Sequence, residues 1–179
     1  TSAVTGQSFA TNLGTLSGYG NSYATWGSVN DSGQVVGYST NDDGSTHSFL
    51  YSNGVMTDLG GLPGYTYSYA QGINASGQVV GYSLDSNRQA HPFLYSNGVM
   101  KDLGGLPGSS NNFAVAINAS GQVVGYSYDN NDVPHAFLHS NGVMTDLGGL
   151  PGYTYSYAFG INASGQVVGS SCGNECHAF

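Results

Sequence analysis

Ile73-Asn-Ala-Ser-Gly-Gln-Val-Val-Gly-Tyr-Ser83 decides the fold, because it returns at residues 117–127 and 161–171 and, in looser form, at 29–39. The interval is 44 residues each time. A fixed period of this length marks one supersecondary unit that has been copied, each copy needing its neighbours to bury its apolar face. Working outward from residues 73–83 gives the unit. Residues 67–74 (YSYAQGIN) read as a first strand, A, and Asn74-Ala-Ser-Gly77 as a turn in which the Asn side chain bonds backbone ahead of it and Gly77 supplies a positive φ. Residues 78–83 (QVVGYS) form strand B, residues 84–90 a variable polar loop, and residues 91–96 (HPFLYS) strand C. Asn97-Gly98 is the signature of a type I′ hairpin, leading into strand D at residues 99–103. Gly104-Gly-Leu-Pro-Gly108 then carries the chain to the next copy.

Four short antiparallel strands per 44 residues make a unit the size of a β-propeller blade, and an Asn-Gly hairpin in every copy has no use in a solenoid coil. Strand B carries adjacent valines, Val79 and Val80, so both of its faces read as buried between neighbouring units. Strand A keeps small residues at Ala70 and Gly72, Ala114 and Ala116, and Ala158 and Gly160, as crowding round an axis demands. The expectation is a single all-β domain, 1–179: a four-bladed β-propeller-like array. Its parts are a terminal half-repeat at about 1–20, units at 21–64, 65–108 and 109–152, and an incomplete unit at 153–179. The first full unit carries an insertion around Trp26. The chain enters on a half-repeat and leaves on a third strand, so the termini are expected to share one blade. Counted this way there is one strand more than a closed four-bladed ring needs: either residues 1–4 fray, or a terminal strand is free to pair with another molecule.

Composition narrows the function. Charged residues are 7% of the chain and the net charge is −8, with Arg88 and Lys101 the only strong bases. Nucleic-acid binding is driven by counterion release onto lysine and arginine, so that partner is excluded, as is docking on an anionic membrane. No apolar run approaches membrane-spanning length. Fourteen tyrosines and seven phenylalanines supply core area, and polarity comes from Ser, Asn, Thr and Gly, which suits an extracellular or cell-surface protein. A start at Thr1, without an initiator methionine or a charged-then-apolar leader, fits a mature secreted product or a trimmed chain.

His47-Ser-Phe-Leu, His91-Pro-Phe-Leu and His135-Ala-Phe-Leu, each followed by Asp-Leu-Gly-Gly-Leu-Pro-Gly and then Ile-Asn-Ala-Ser-Gly-Gln-Val-Val-Gly, resemble the HAF family of bacterial extracellular repeat proteins. The resemblance covers nearly the whole chain, the N-terminal copy departing most. It implies a surface or extracellular location and a repeat fold, and it brings no catalytic residues with it.

His47, His91, His135 and His177 occur once per unit. Beginning strand C, they sit too far apart to share one ion, and a repeated structural hydrogen bond is the expected role. Asp58, Asp102 and Asp146 read as turn residues before Leu-Gly-Gly. The loops between strands B and C carry oxygen donors, and Asp42, Asp43, Asp129 and Asp132 are weak calcium candidates that lack the spacing of a dedicated calcium loop. Cys172 and Cys176 face each other across the last such loop and are expected to form a disulfide that pins the terminal strand. Asn30, Asn74, Asn118 and Asn162 match the glycosylation sequon but have structural reasons to stand in a turn.

No catalytic constellation, cofactor or metal site stands out. The expectation is therefore a non-enzymatic extracellular structural or assembly protein that self-associates through terminal strands and an uncharged Tyr/Ser/Asn surface, with filaments as one form of the assembly. The alternative is a lectin-like propeller using Tyr65, Tyr67 and Tyr69, matched by Tyr153, Tyr155 and Tyr157, as aromatic platforms for glycans. The third unit breaks that pattern with Ser109-Ser-Asn-Asn-Phe113.

Overall fold

The structure is a computed structural model that describes residues 10–179. The terminal half-repeat expected at about 1–20, and with it the blade shared by the termini, therefore lies partly outside the described residues.

Every copy folds as the same antiparallel meander. The first unit comprises β1 (Asn21–Val29), β2 (Val35–Thr40), β3 (Thr46–Ser52) and β4 (Val55–Gly60). The second comprises β5 (Tyr67–Ile73), β6 (Val79–Leu84), β7 (Ala90–Ser96) and β8 (Val99–Asp102). The third is β9 (Ser109–Ile117), β10 (Val123–Asp129), β11 (Pro134–Ser140) and β12 (Val143–Asp146), and the fourth β13 (Tyr155–Ile161), β14 (Val167–Cys172) and β15 (Cys176–Ala178). The described residues contain no helix, and hence none long and apolar enough to cross a membrane. A single parallel bridge, Thr46 in β3 to Tyr67 in β5, joins the first two meanders into one eight-stranded sheet in which β4 branches off β3. The other two units form sheets of four and three strands.

The turns follow from local chemistry. Asn53-Gly54, Asn97-Gly98 and Asn141-Gly142 all have positive φ at both positions, the type I′ geometry whose twist matches that of the flanking strands. In the A–B turn, the Asn74 side-chain oxygen accepts the Ser76 N–H at 3.1 Å and the Gln78 N–H at 3.0 Å. The insertion around Trp26 appears as a break in register between Ala24 and Val29, with Trp26 almost fully exposed.

Gly81 is required by packing. A Cβ there would lie 2.0 Å from the Tyr69 carbonyl oxygen and 2.9 Å from Phe93 Cζ. The same collision recurs at Gly37, Gly125 and Gly169, each against its own phenylalanine: Phe49, Phe137 and Phe179. Opposite each lies the irregularity in strand A that lets the ring slide under the strand pair.

Units pack face to face, strand A of one unit lying over the sheet of the unit before it. The adjacent valines serve two different junctions. Val79 belongs to the core shared with the first unit, around Val36, Leu62, Ala70 and Phe93. Val80 points the other way, into the core with Leu103, Ala114, Ile117 and Val123. Val124 repeats the move against Ala158 of the fourth unit. At about 25 cal/mol per Å² of apolar surface removed from water, these junctions are the dominant stabilising element. Residues of all four A strands, among them Gly27, Gly72, Ala116 and Phe159, line one cleft of about 520 Å³, while Ala70, Ala114 and Ala158 are buried in the junctions between units.

Candidate functional site

The recurring polar feature is a histidine beside a turn carboxylate. His47 Nδ1 lies 2.9 Å from Asp58 Oδ2, and the other oxygen of Asp58 accepts the Gly60 N–H at 2.7 Å. His91 lies between two carboxylates, 3.7 Å from Asp102 and 3.6 Å from Asp85. His135 repeats this, 3.2 Å from Asp146 and 3.9 Å from Asp129, while His177 has Glu175 at 3.6 Å. A tyrosine ring covers three of the four imidazoles: Tyr19 on His47, Tyr65 on His91 and Tyr153 on His177, with centroids 5.0–5.5 Å apart. His47 and His91 thus tie strand C both to the strand D turn and to the loop entering the unit, while His135 keeps only carboxylate partners and His177 has no strand D to reach among the described residues.

The loop carboxylates are committed to their own turns. Asp129 Oδ1 accepts the Asn131 and Val133 N–H groups at 2.8 and 2.9 Å, and these bonds, Val133 first, hold its carboxyl below the usual range. Asp43 is lowered in the same way by the Ser45 N–H and hydroxyl. Asp132 adopts a left-handed backbone at φ 59°, in the tight turn that Asp129 closes. Among the described residues, no group of three or more His, Cys, Asp or Glu side chains is arranged to hold a metal ion. Cys172 and Cys176 form a disulfide across the hairpin between β14 and β15.

The six tyrosines read as sugar platforms go to separate places. Tyr65 and Tyr153 cover histidines, and Tyr67 lies under the Arg88 guanidinium at 5.2 Å. Tyr155 is exposed at the start of β13. Tyr69 and Tyr157 belong to an aromatic ladder, in which a stacked pair within each unit alternates with an edge-to-face contact to the next. It runs Tyr23, Tyr38, Tyr69, Tyr82, Phe113, Tyr126, Tyr157, with centroids 4.9–5.2 Å apart. Burial in this ladder pushes the Tyr82 phenol up to about 12. In the fourth unit Ser170 stands opposite Tyr157 where the ladder would continue, and Tyr157 stacks instead on Phe159 of its own strand, centroids 6.0 Å apart.

The asparagines of the A–B turns form a second ladder. Asn30 Nδ2 donates to the Asn74 carbonyl, Asn74 to that of Asn118, and Asn118 to that of Asn162, each at 3.0 Å. Asn162 donates only within its own turn, to Gln166 at 2.7 Å.

Both ladders end on faces that the internal junctions bury. Val168 is 59% exposed, whereas its equivalents Val36, Val80 and Val124 are fully buried. At the other end Val29 is 62% exposed against 8% for Ile73, and Ala24 is exposed where Ala70, Ala114 and Ala158 are buried. Among the described residues, nothing covers the tail face of the fourth unit or the head face of the first. Sequence reasoning missed this, because the fourth copy of the motif carries the same two valines as the buried ones.

No family model and no curated protein matches the chain.

Proposed function

We propose that this chain is a non-enzymatic, extracellular, propeller-like repeat protein whose work is assembly, the tail face of one molecule docking on the head face of another. The observation that carries the reading is the pair of uncovered faces. Each is one half of a junction that the same molecule makes three times internally, so the occupant suited to the tail around Val168 and Asn162 is a surface like the head around Ala24 and Val29. Tail and head are different surfaces, so the contact is heterologous and propagates as a filament or closes as a ring of molecules. With few charges on the chain, little electrostatic repulsion opposes such packing. The disulfide supports an oxidising, extracellular setting.

The junction between molecules would be weaker than the internal ones. Ser170 in place of the ladder tyrosine removes one edge-to-face aromatic pair, worth about 0.5–1.5 kcal/mol. Assembly should therefore be reversible and concentration-dependent.

Light scattering across a concentration series, with negative-stain electron microscopy, tests this. The expected result is growth into filaments or rings with rising concentration, and their loss in Val168→Asp, which places a charge on the tail face without touching an internal junction. A species of chain mass at every concentration refutes the proposal, as does a Val168→Asp variant that assembles normally.

A further inference from the structure

The third unit departs from the others at one place, and the departure opens a cavity. Tyr19, Tyr65 and Tyr153 cover the histidines of the first, second and fourth units. The matching position in the third unit is Ser109, whose short side chain turns inward to the Leu106 carbonyl and the Asn112 side chain, each at 2.7 Å. The vacated space is a pocket of about 270 Å³ against His135.

The same departure leaves a buried hydroxyl without a partner. In the other units the strand B serine accepts a backbone N–H from the incoming loop: Ser39 from Leu16, Ser83 from Leu62 and Ser171 from Leu150, at 2.9–3.3 Å. Its third-unit counterpart, Ser127, is 1% exposed, lies on the pocket wall, and its Oγ makes no hydrogen bond. A buried hydroxyl left unsatisfied costs about 1–3 kcal/mol, so a ligand that bonds it recovers that energy on binding.

From this geometry we infer that the third unit carries a binding site for a single pyranose sugar, with Ser127, Asp129, His135 and Asp146 as its polar wall. Ionised carboxylates only accept hydrogen bonds, which suits a ligand rich in hydroxyl donors. Asp129 and Asp146 lie on either side of the imidazole and have one oxygen each tied to a turn, leaving the other towards His135. Ser127 can donate or accept. Leu106 and Pro107 supply an apolar wall for the C–H face of the ring. The volume falls just below the lower bound of about 300 Å³ for drug-sized ligands, which limits the occupant to about one ring. The inference is independent of assembly, since the pocket faces neither the head nor the tail.

Saturation-transfer NMR reads the sugar itself, so it works whether the protein is single or assembled. The probes are glucose, galactose, mannose and N-acetylglucosamine, each free and as its methyl glycoside. At least one is expected to bind with a dissociation constant on the order of 1 mM, as about a dozen heavy atoms at drug-like efficiency allow. Ser109→Tyr restores the ring present in the other three units and should abolish the signal in a protein of unchanged circular dichroism. Ser127→Ala should weaken binding at least fivefold. Binding by methyl glycosides assigns the end of a glycan, and binding by free sugars alone assigns a free sugar. No transfer to any probe overturns the inference, as do equal binding by Ser109→Tyr and competition by ethanolamine at the same concentration, which would mark a site for simple cations.

Discussion

Replacing Asn74 and Asn162 by alanine, separately, isolates the energy of the link between units. The two residues occupy the same turn in different copies. Asn162 accepts the Ser164 and Gln166 N–H groups and donates to the Gln166 side chain, all in an exposed turn. Asn74 makes the equivalent three bonds, also accepts the Ser76 hydroxyl at 2.9 Å, and donates to the Asn118 carbonyl at 3.0 Å, in a buried position. Asn162→Ala should cost about 1–2 kcal/mol, the range for a lost turn-capping side chain. Asn74→Ala adds the net value of those two further hydrogen bonds, about 1 kcal/mol each, while the Asn118 carbonyl keeps the Gly121 N–H. The expected gap between the variants is about 2 kcal/mol, read as a difference in urea midpoint at unchanged slope. The measurement belongs at a protein concentration too low for assembly, because a docked second copy would give Asn162 the partner it lacks. A gap under about 0.5 kcal/mol would refute the claim that the asparagine ladder couples the units.

Four further outcomes follow from other parts of the fold. Gly81→Ala should lose more than about 3 kcal/mol or fail to fold, since its Cβ would meet the backbone of β5 at 2.0 Å, whereas Gly20→Ala, with its nearest neighbour 3.7 Å away, should stay within about 0.5 kcal/mol; thermal melts decide both. Replacing Cys172 and Cys176 by serine opens a loop with a sequence separation of only 4, so the loss should not exceed about 2 kcal/mol and should appear as faster proteolysis at β15. Folded Tyr82 keeps its proton to about 12 while an unfolded tyrosine loses it near 10, so stability should fall as pH rises above 10, and less steeply in Tyr82→Phe. Burial, with a smaller contribution from Lys101, lowers His139, so the unfolded chain takes the proton first as pH falls below 6.5; His139→Tyr, copying Tyr51 and Tyr95, should flatten the acid side of the melting profile.

The period, the four-strand unit, the Asn-Gly hairpins and the cysteine pair were legible because each rests on local chemistry repeated at fixed spacing. The adjacent valines were legible too, since an alternating strand has no other use for two neighbouring apolar residues than two buried faces. What the sequence could not show is where the repetition stops being satisfied. Val124 and Val168 stand in the same local sequence, Ile-Asn-Ala-Ser-Gly-Gln-Val-Val-Gly, and differ only in whether a further unit covers them. The departure at Ser109 was visible as a break in the tyrosine pattern. Its consequence was hidden because the hydroxyl it orphans, on Ser127, lies 18 residues further along and is identical to its satisfied counterparts. The tyrosines misdirected attention for a related reason: a ring on a strand can serve a ladder, a histidine or a ligand, and only the neighbouring unit decides which.

A heterologous junction also constrains what the two end faces can be for. An open array built by repeating one such contact leaves one head and one tail, a closed ring neither, and a repeat protein that stays single usually gives its terminal units a polar outer face. The fourth unit carries some alteration: it has lost its ladder tyrosine at Ser170, and its last hairpin is pinned by the disulfide. Neither change makes the faces polar. Val168 remains on the tail, Val29 and Ala24 remain on the head, and the insertion beside the head adds an exposed Trp26. Apolar side chains kept on two complementary faces match the requirement of a junction that is still to be made. In the proposed assembly, weakening that junction by one aromatic pair, while keeping its valine and asparagine contacts, would give an interface that forms after folding and can be undone without unfolding the units it joins.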